Sequence, residues 1–297
     1  MEICRVVYER GLDLWKAQDG NWYFESAKAA YLPQIPKTVP ETLGVRPVLI
    51  TANMPGRIKQ KTFFLTQSAN QEIIDSPTEK LTGLIDPTNL PSFLRAFNVG
   101  YIVGAVVYHF LNLAECYANV TRSYARSGFP DQQNIVQYGS QHEPYYEFEA
   151  LVTAVRRAYD SARFILWNEF HTSKGTTPSS FSKTLKQCKS IPIDLRQRLE
   201  TSWSSFGNKV TDYRDCIQHY VPMGTSLPAA RMQKLNGGIW SAMLLIPDNP
   251  EAKSGPDFKY ANEIDALTYG WKITDETFAV MQELLRQVSK KNGKAIR

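Results

Sequence analysis

Residues 190–221 read SIPIDLRQRLETSWSSFGNKVTDYRDCIQHYV, and this stretch predicts one long amphipathic helix. Ser190 is a candidate N-cap, Pro192 suits a first helical turn, and Pro222 disfavours helical geometry at the residue before it. Apolar or aromatic residues recur at intervals of three and four: Leu195, Leu199, Trp203, Phe206, Val210, Tyr213, Ile217 and Tyr220. That period places them on one helix face, which we expect to be buried in the core.

The end of this helix carries a cation, a carboxylate and an imidazole: Arg214, Asp215 and His219. At about 100° per residue, Arg214 lies beside the apolar face. His219 lies about 140° from Arg214 around the helix axis. Asp215 and His219 are at the spacing that lets a carboxylate contact and orient an imidazole. An imidazole can take the proton of a ribose 2′-hydroxyl while a guanidinium stabilises the phosphate, so the set predicts metal-free RNA cleavage. The alternative is a solvated helix face on which His219 caps C-terminal carbonyls.

Three other segments show helical periodicity. From Leu90, a segment that is apolar nearly all round predicts a central helix, on the residues Phe93, Phe97, Tyr101, Gly104, Tyr108 and Leu111. A second stripe runs to about His171, on Phe148, Leu151, Val155, Ala158, Ala162 and Ile165. The last helix is expected to start at Thr274 as cap, with one face made of Phe278, Met281, Leu285 and Val288. A short helix is also expected before Cys188.

Strand signals are weaker and lie in two regions. Residues 46–52 and 61–67 predict a hairpin around a turn at residues 54–56, within a proline-rich N-terminal region. Residues 239–246 predict a buried strand or a short apolar segment, and residues 266–271 a second extended piece. We therefore expect a mainly α fold, an up-and-down helical bundle with a small strand insertion and an irregular, partly β N-terminal region. The expected domains are residues 1–90 and 91–297.

Composition restricts the classes of protein that the chain can belong to. The net charge of +5 over 297 residues is concentrated in a basic terminal stretch, made of Arg286, Lys290, Lys291, Lys294 and Arg297. The four cysteines, Cys4, Cys116, Cys188 and Cys216, have no paired spacing, which favours a reducing compartment and argues against disulfides or a zinc cluster. From Glu2 and Arg5 at the start we expect no secretory signal, and we expect the apolar residues 99–108 to be too few to span a bilayer. We expect a cytoplasmic protein with no membrane association, no cofactor and no metal.

The Arg-x4-His pattern of Arg214 and His219 resembles the motif of the HEPN superfamily. Many of these helical proteins are metal-independent endoribonucleases of toxin–antitoxin and phage-defence systems, and others only bind nucleotides or RNA. The resemblance covers roughly residues 90–290 and implies a homodimer in which two motifs converge across a two-fold axis. One departure is that a subset of HEPN toxins has a tyrosine two residues after the histidine, where this chain has Val221 and places Tyr220 one position early.

The resemblance implies a role for each motif residue. His219 would be the general acid and base, Arg214 would bind and stabilise the phosphate, and Asp215 would orient the site. The substrate would be RNA, and an antitoxin or defence-system protein would be a partner. Outside the motif, four cations are candidates for RNA binding, with a solvated helix face or helix end as the alternative: Arg156, Arg157, Lys290 and Lys291. The alternatives are a non-catalytic RNA or nucleotide binder and a helical scaffold in a larger complex.

Overall fold

The fold is mainly α, as the sequence predicts. The structure is a computed structural model, and it describes residues 4–7, 12–16, 22–26, 45–54, 57–66, 77–127, 142–172, 175–223, 231–235, 239–252 and 254–293. The basic residues Lys294 and Arg297 and the predicted hairpin turn at residues 55–56 lie outside these ranges.

The described helices are, in chain order, α1 (Pro77–Thr82), α2 (Leu90–Ser127), α3 (Glu143–Phe170), α4 (Phe181–Gln187), α5 (Ile193–Ser202), α6 (Asn208–His219) and α7 (Ala266–Lys291). A π-helical turn, Trp203–Gly207, joins α5 to α6, and Gly255–Asp257 forms a 3₁₀ turn. The short helix expected before Cys188 is α4.

The described strands are β1 (Cys4–Val7), β2 (Leu12–Lys16), β3 (Trp22–Ser26), β4 (Val45–Met54), β5 (Arg57–Thr66), β6 (Arg231–Leu235) and β7 (Ile239–Met243). They form an antiparallel sheet in the order β1-β2-β3-β5-β4-β7-β6. β4 and β5 pair from Val45 with Thr66 to Met54 with Arg57, which confirms the predicted hairpin. β7 confirms the first part of the strand expected at residues 239–246.

The chain forms two compact units that are interleaved in sequence. Unit 1 consists of Met1–Asn70, His109–Phe148 and Val221–Lys272, and unit 2 of Gln71–Tyr108, Glu149–Tyr220 and Ile273–Arg297. α2, α3 and α7 each contribute residues to both units. This division differs from the sequential one expected at residue 90, because long helices carry the chain out of one unit and back again.

In unit 1, a buried carboxylate fixes the start of α7. Asp265 is the residue before the helix, and its Oδ2 accepts the backbone N–H of Thr268 at 2.8 Å. Its Oδ1 accepts the Tyr117 hydroxyl at 2.7 Å and the backbone N–H of Leu244 at 3.0 Å. Residues 266–271 are therefore helical, and the extended piece predicted there is wrong. Thr274, the predicted cap, is buried inside the helix. The cap is Asp265, whose side chain is held by Tyr117, a residue distant in sequence.

In unit 2, ion pairs and buried apolar residues join the helices. Glu169 of α3 accepts hydrogen bonds from Arg95 at 2.5 Å and Ser92 at 3.0 Å, both on α2. Arg198 of α5 makes a two-point contact with Glu276 of α7, at 2.6 and 2.7 Å. The stripe predicted on α3 is confirmed throughout its length: Phe148 is buried in unit 1, and the other members, Leu151, Val155, Ala158, Ala162 and Ile165, are buried in unit 2.

The long helix expected over residues 190–221 is present but differs in detail. It begins after Pro192, which is the N-cap but makes no side-chain cap bond, and Ser190 instead donates to the Phe170 carbonyl. It ends at His219. The π-turn adds a residue to one turn and rotates the faces on either side of it. As a result Ser202 and Gly207 are buried, while four residues of the predicted stripe are partly or fully exposed: Trp203, Phe206, Ile217 and Tyr220.

The Trp203 ring explains the position of the π-turn. It stacks on Phe181 with centroids 4.9 Å apart and meets Tyr159 edge-on at 5.4 Å. A Cβ added to Gly207 would collide with the Trp203 ring. Glycine at position 207 therefore lets the indole lie against the following turn of the helix.

α2 differs from the central helix that was expected, because one of its faces is exposed. Val99, Val103 and Val106 are buried, whereas the aromatic side opposite them is open to solvent. At Gly100, an added Cβ would lie 3.0 Å from the Thr78 carbonyl oxygen of α1, so a neighbouring backbone does approach closely there. Within the described residues, Leu90–Ala114 is the one helical segment long and apolar enough to cross a membrane by length and composition alone.

Candidate functional site

α6 sets the relative positions of the motif side chains. It is a regular α-helix from Asn208 to His219, and it buries Val210 and Tyr213 against the core of unit 2. Arg214 and His219 then lie on opposite flanks of the buried face, about 140° apart at 100° per residue. One helix therefore does not bring the guanidinium and the imidazole together.

The Arg214 guanidinium is held by its neighbours on the same helix. Its Nη1 donates to Gln218 Oε1 at 3.0 Å and lies 3.0 Å from Asp215 Oδ1. The Arg214 side chain is 23% exposed and that of Asp215 47%. Nε of Arg214 is buried without a hydrogen-bond partner in the described part of the chain. The cation is thus restrained, and part of its donor capacity is unused.

The His219 imidazole is exposed in the last turn of α6. Its ring meets Tyr220 edge-on, with centroids 6.2 Å apart. Within the described ranges, His219 has no hydrogen bond or ion pair. The negative end of the helix dipole favours a positive charge at this position. The imidazole is therefore open to a ligand.

The predicted contact between Asp215 and His219 is absent among the described contacts, since the Asp215 carboxylate pairs with Arg214 instead. The physical reason is that the adjacent Arg214 carries a permanently charged, planar guanidinium, which pairs strongly with a carboxylate. Asp215 therefore positions Arg214 and leaves His219 unoriented by a carboxylate of its own helix.

The four candidate RNA-binding cations have different surroundings. Arg157 and Lys290 are exposed. Arg156 is only 12% exposed, with its Nη1 2.7 Å from Asp160 and its guanidinium carbon 5.7 Å from the Trp203 ring centroid. Lys291 donates to the Glu169 carbonyl through its Nζ. Arg156 thus has an internal packing role, and Arg157 and Lys290 are the two cations with open access to a polyanion.

Unit 1 contains an oriented imidazole that the sequence analysis missed. His109 Nδ1 and Glu147 Oε2 share a hydrogen bond of 2.9 Å, and Asn112 Nδ2 donates to Glu147 Oε1 at 3.3 Å. Both His109 and Glu147 are about a quarter exposed, at 28% and 27%. No local signal could have revealed the pair, because its members lie on different helices, α2 and α3.

In the part of the chain that the structure describes, no group of three or more histidine, cysteine or acidic side chains is placed so that it could hold a metal ion. Comparison with known protein families, with curated proteins and with solved structures finds no match to this chain.

Proposed function

We propose that this protein is a metal-independent endoribonuclease of the HEPN type, with a composite Arg/His site at a homodimer interface. One observation carries the proposal: a restrained guanidinium, Arg214, and an open imidazole, His219, lie within six consecutive residues at the exposed end of one helix. These are the two groups that a transesterification at phosphorus requires.

The reaction follows from the chemistry of the two side chains. A neutral His219 imidazole removes the proton of a ribose 2′-hydroxyl, and the 2′-oxygen forms a bond to the adjacent phosphorus. The bond from phosphorus to the 5′-oxygen breaks, and an imidazolium protonates the leaving oxygen. Arg214 neutralises the charge that builds on the phosphate oxygens. The products are a 2′,3′-cyclic phosphate and a 5′-hydroxyl.

A second copy supplies what one helix lacks. Since Arg214 and His219 point about 140° apart, one phosphate contacts both groups most easily between two facing α6 helices. Two imidazoles then meet at the same phosphodiester, one as base and one as acid. The family resemblance supports a role as a toxin or phage-defence effector with an antitoxin or defence-system partner.

Non-catalytic RNA or nucleotide binding is the second candidate function. The observation that favours it is the ion pair of Asp215 with Arg214, which partly neutralises the cation before any phosphate arrives. A site of this kind would bind RNA through Arg157 and Lys290 and would not cleave it. Its salt dependence would report the number of phosphates neutralised.

Incubation of purified protein with mixed RNA in excess EDTA separates the two candidates. Endoribonuclease function predicts fragments in EDTA, and binding function predicts RNA retention without fragments. A strict requirement for Mg²⁺ or Mn²⁺ would contradict the proposed reaction. If the protein neither cleaves nor binds RNA, the remaining interpretation is a helical scaffold in a larger complex.

A further inference from the structure

The exposed face of α2 carries a continuous row of large apolar side chains, here called the α2 stripe. Its members, with their exposed fractions, are Leu90 58%, Leu94 51%, Phe97 48%, Tyr101 65% and Tyr108 44%. At a rise of 1.5 Å per residue the stripe is about 27 Å long. Side chains of this size and exposure are common singly on a surface, but a row of them marks an interaction site.

The width of the stripe identifies the kind of surface that fits it. At 100° per residue, all five positions fall within about 60° around the helix axis. Helices that lie on a membrane or face a broad core have apolar faces of about 100° or more, whereas a seam between two helices is narrower. The spacing of four, three, four and seven residues is that of such a seam. The stripe therefore fits another helix better than a bilayer surface.

The stripe contains no free charge that would have to be desolvated. Arg95 is the only ionisable residue other than tyrosine between positions 90 and 108. Its guanidinium is directed to Glu169 of α3, at 2.5 Å. Burying the stripe against an apolar partner therefore costs little electrostatic free energy.

The area of the stripe is sufficient for a dimer. A large aromatic side chain carries about 150–250 Å², so five half-exposed residues present on the order of 500 Å² per copy. Two stripes packed on each other would bury about 1,000 Å² in total, the lower limit for a specific interface. A stripe paired with itself meets this limit.

We propose that a second copy of this chain packs antiparallel along the α2 stripe, with the two-fold axis between Phe97 and Tyr101. The direction follows from charge. Asn292 donates to the Ser92 hydroxyl at 3.5 Å, which places the basic end of α7 beside the start of α2. Parallel packing would bring the two basic ends together, and antiparallel packing separates them. The α2 stripe would be the contact that holds together the same homodimer that the proposed function requires, so that its loss gives a monomer, but the inference does not rest on RNA cleavage.

The first experiment measures molar mass in solution for the full chain and for Phe97→Glu, with Ile193→Glu as matched control. Ile193 is 71% exposed on α5 and lies outside the stripe. Wild type and Ile193→Glu are expected to be dimers, and Phe97→Glu a monomer with an unchanged helical spectrum. A wild-type monomer at high concentration, or a dimeric Phe97→Glu, would overturn the proposal. If Phe97→Glu misfolds, Tyr101→Lys replaces it, since Tyr101 is the more exposed residue.

Cross-linking then tests the direction. In the double variant Leu90→Cys/Tyr108→Cys, antiparallel packing predicts a covalent dimer on oxidation, whereas Leu90→Cys alone should give none above the wild-type level. A covalent dimer of Leu90→Cys alone, above the wild-type level, would contradict antiparallel packing. Vesicles of phosphatidylcholine and phosphatidylserine test the alternative that the α2 stripe binds a membrane. If the wild-type protein is a monomer and sediments with the vesicles, the partner of the stripe is lipid and the proposed dimer contact is wrong. RNA cleavage by a monomeric Phe97→Glu would refute the composite site and leave the α2 interface standing.

Discussion

In the proposed site, Arg214 would act through its restraint as much as through its charge. Asp215 and Gln218 hold its guanidinium at 3.0 Å each, so binding a phosphate loses less side-chain entropy than it would for an unrestrained arginine. The same ion pair weakens the net positive charge. The proposed site would therefore give positional precision, and its affinity for a phosphate would come from other cations or from a second copy.

Replacement of the motif side chains tests their roles directly. His219→Ala and Arg214→Ala are each expected to reduce RNA cleavage by at least about 100-fold, the usual contribution of a positioned acid–base or charge-stabilising group. Stability should change by within about 0.5 kcal/mol, since neither residue belongs to the buried face. Rate and denaturant midpoint are measured together, with the exposed Lys183→Ala as control. Loss of stability in both variants would instead assign the residues to a structural network.

Gly207 is the residue on which the π-turn depends. Gly207→Ala is expected to lower the free energy of unfolding by about 1–3 kcal/mol, because its Cβ would collide with a Trp203 ring that Phe181 and Tyr159 hold in place. Chemical denaturation measures the change. Ser205→Ala, at an exposed position of the same turn, is the control. Equal stability of the two variants would show that the Trp203 ring can move aside.

At the scale of elements, periodicity located helices well and their faces less well. The α3 stripe was predicted correctly, from Phe148 to Ile165, because a regular helix has a fixed period. The face of the α5–α6 segment was predicted incorrectly around Trp203, since a π-turn changes the period and depends on contacts with residues far along the chain. On α2, which is apolar nearly all round, hydrophobicity alone could not decide which side is buried.

The start of α7 shows the same limit. The Tyr117 hydroxyl donates a hydrogen bond to the side chain of Asp265. Because the two residues are far apart in the sequence, no local pattern predicts that contact. The candidate site was predicted in part for a similar reason. The positions of Arg214 and His219 around α6 follow from helix geometry, but the helical spacing alone does not show that Asp215 pairs with Arg214 and not with His219.

The Asp265 cap predicts a pH-dependent contribution to stability. Desolvation by burial raises the pKa of Asp265 above its ordinary value, despite its hydrogen bonds to Thr268, Tyr117 and Leu244. Because the pKa of Asp265 is raised in the folded state, its protonation contributes to the free energy of unfolding. This contribution is complete below the ordinary aspartate pKa and is lost as the pH rises through the folded pKa.

Asp265→Asn removes this titration and leaves one N–H without an acceptor, at a cost of about 1–3 kcal/mol. The stability difference, wild type minus variant, should therefore decrease as the pH rises through that window. Urea denaturation at a series of pH values gives the difference, with the exposed Asp257→Asn as control. A difference that grows with rising pH would contradict the raised pKa.

At the scale of the whole molecule, the proposed activity belongs to an assembly. One α6 helix holds Arg214 and His219 about 140° apart, so the proposed site is incomplete in a single copy. Specific activity is expected to fall on dilution once the protein drops below its dimer dissociation constant. Rate per protomer and molar mass are measured across one concentration series. Full activity in a sample shown to be monomeric would leave His219 with a partner inside its own chain.

The chemical identity of the RNA ends tests the central proposal most directly. RNA is cleaved in excess EDTA by the wild-type protein, with His219→Ala in parallel, and the termini are identified by mass spectrometry. Attack by a 2′-hydroxyl predicts 2′,3′-cyclic phosphate and 5′-hydroxyl ends, absent with the variant. Ends that carry a 3′-hydroxyl and a 5′-phosphate, or equal cleavage by the variant, would contradict an imidazole-catalysed reaction at Arg214 and His219.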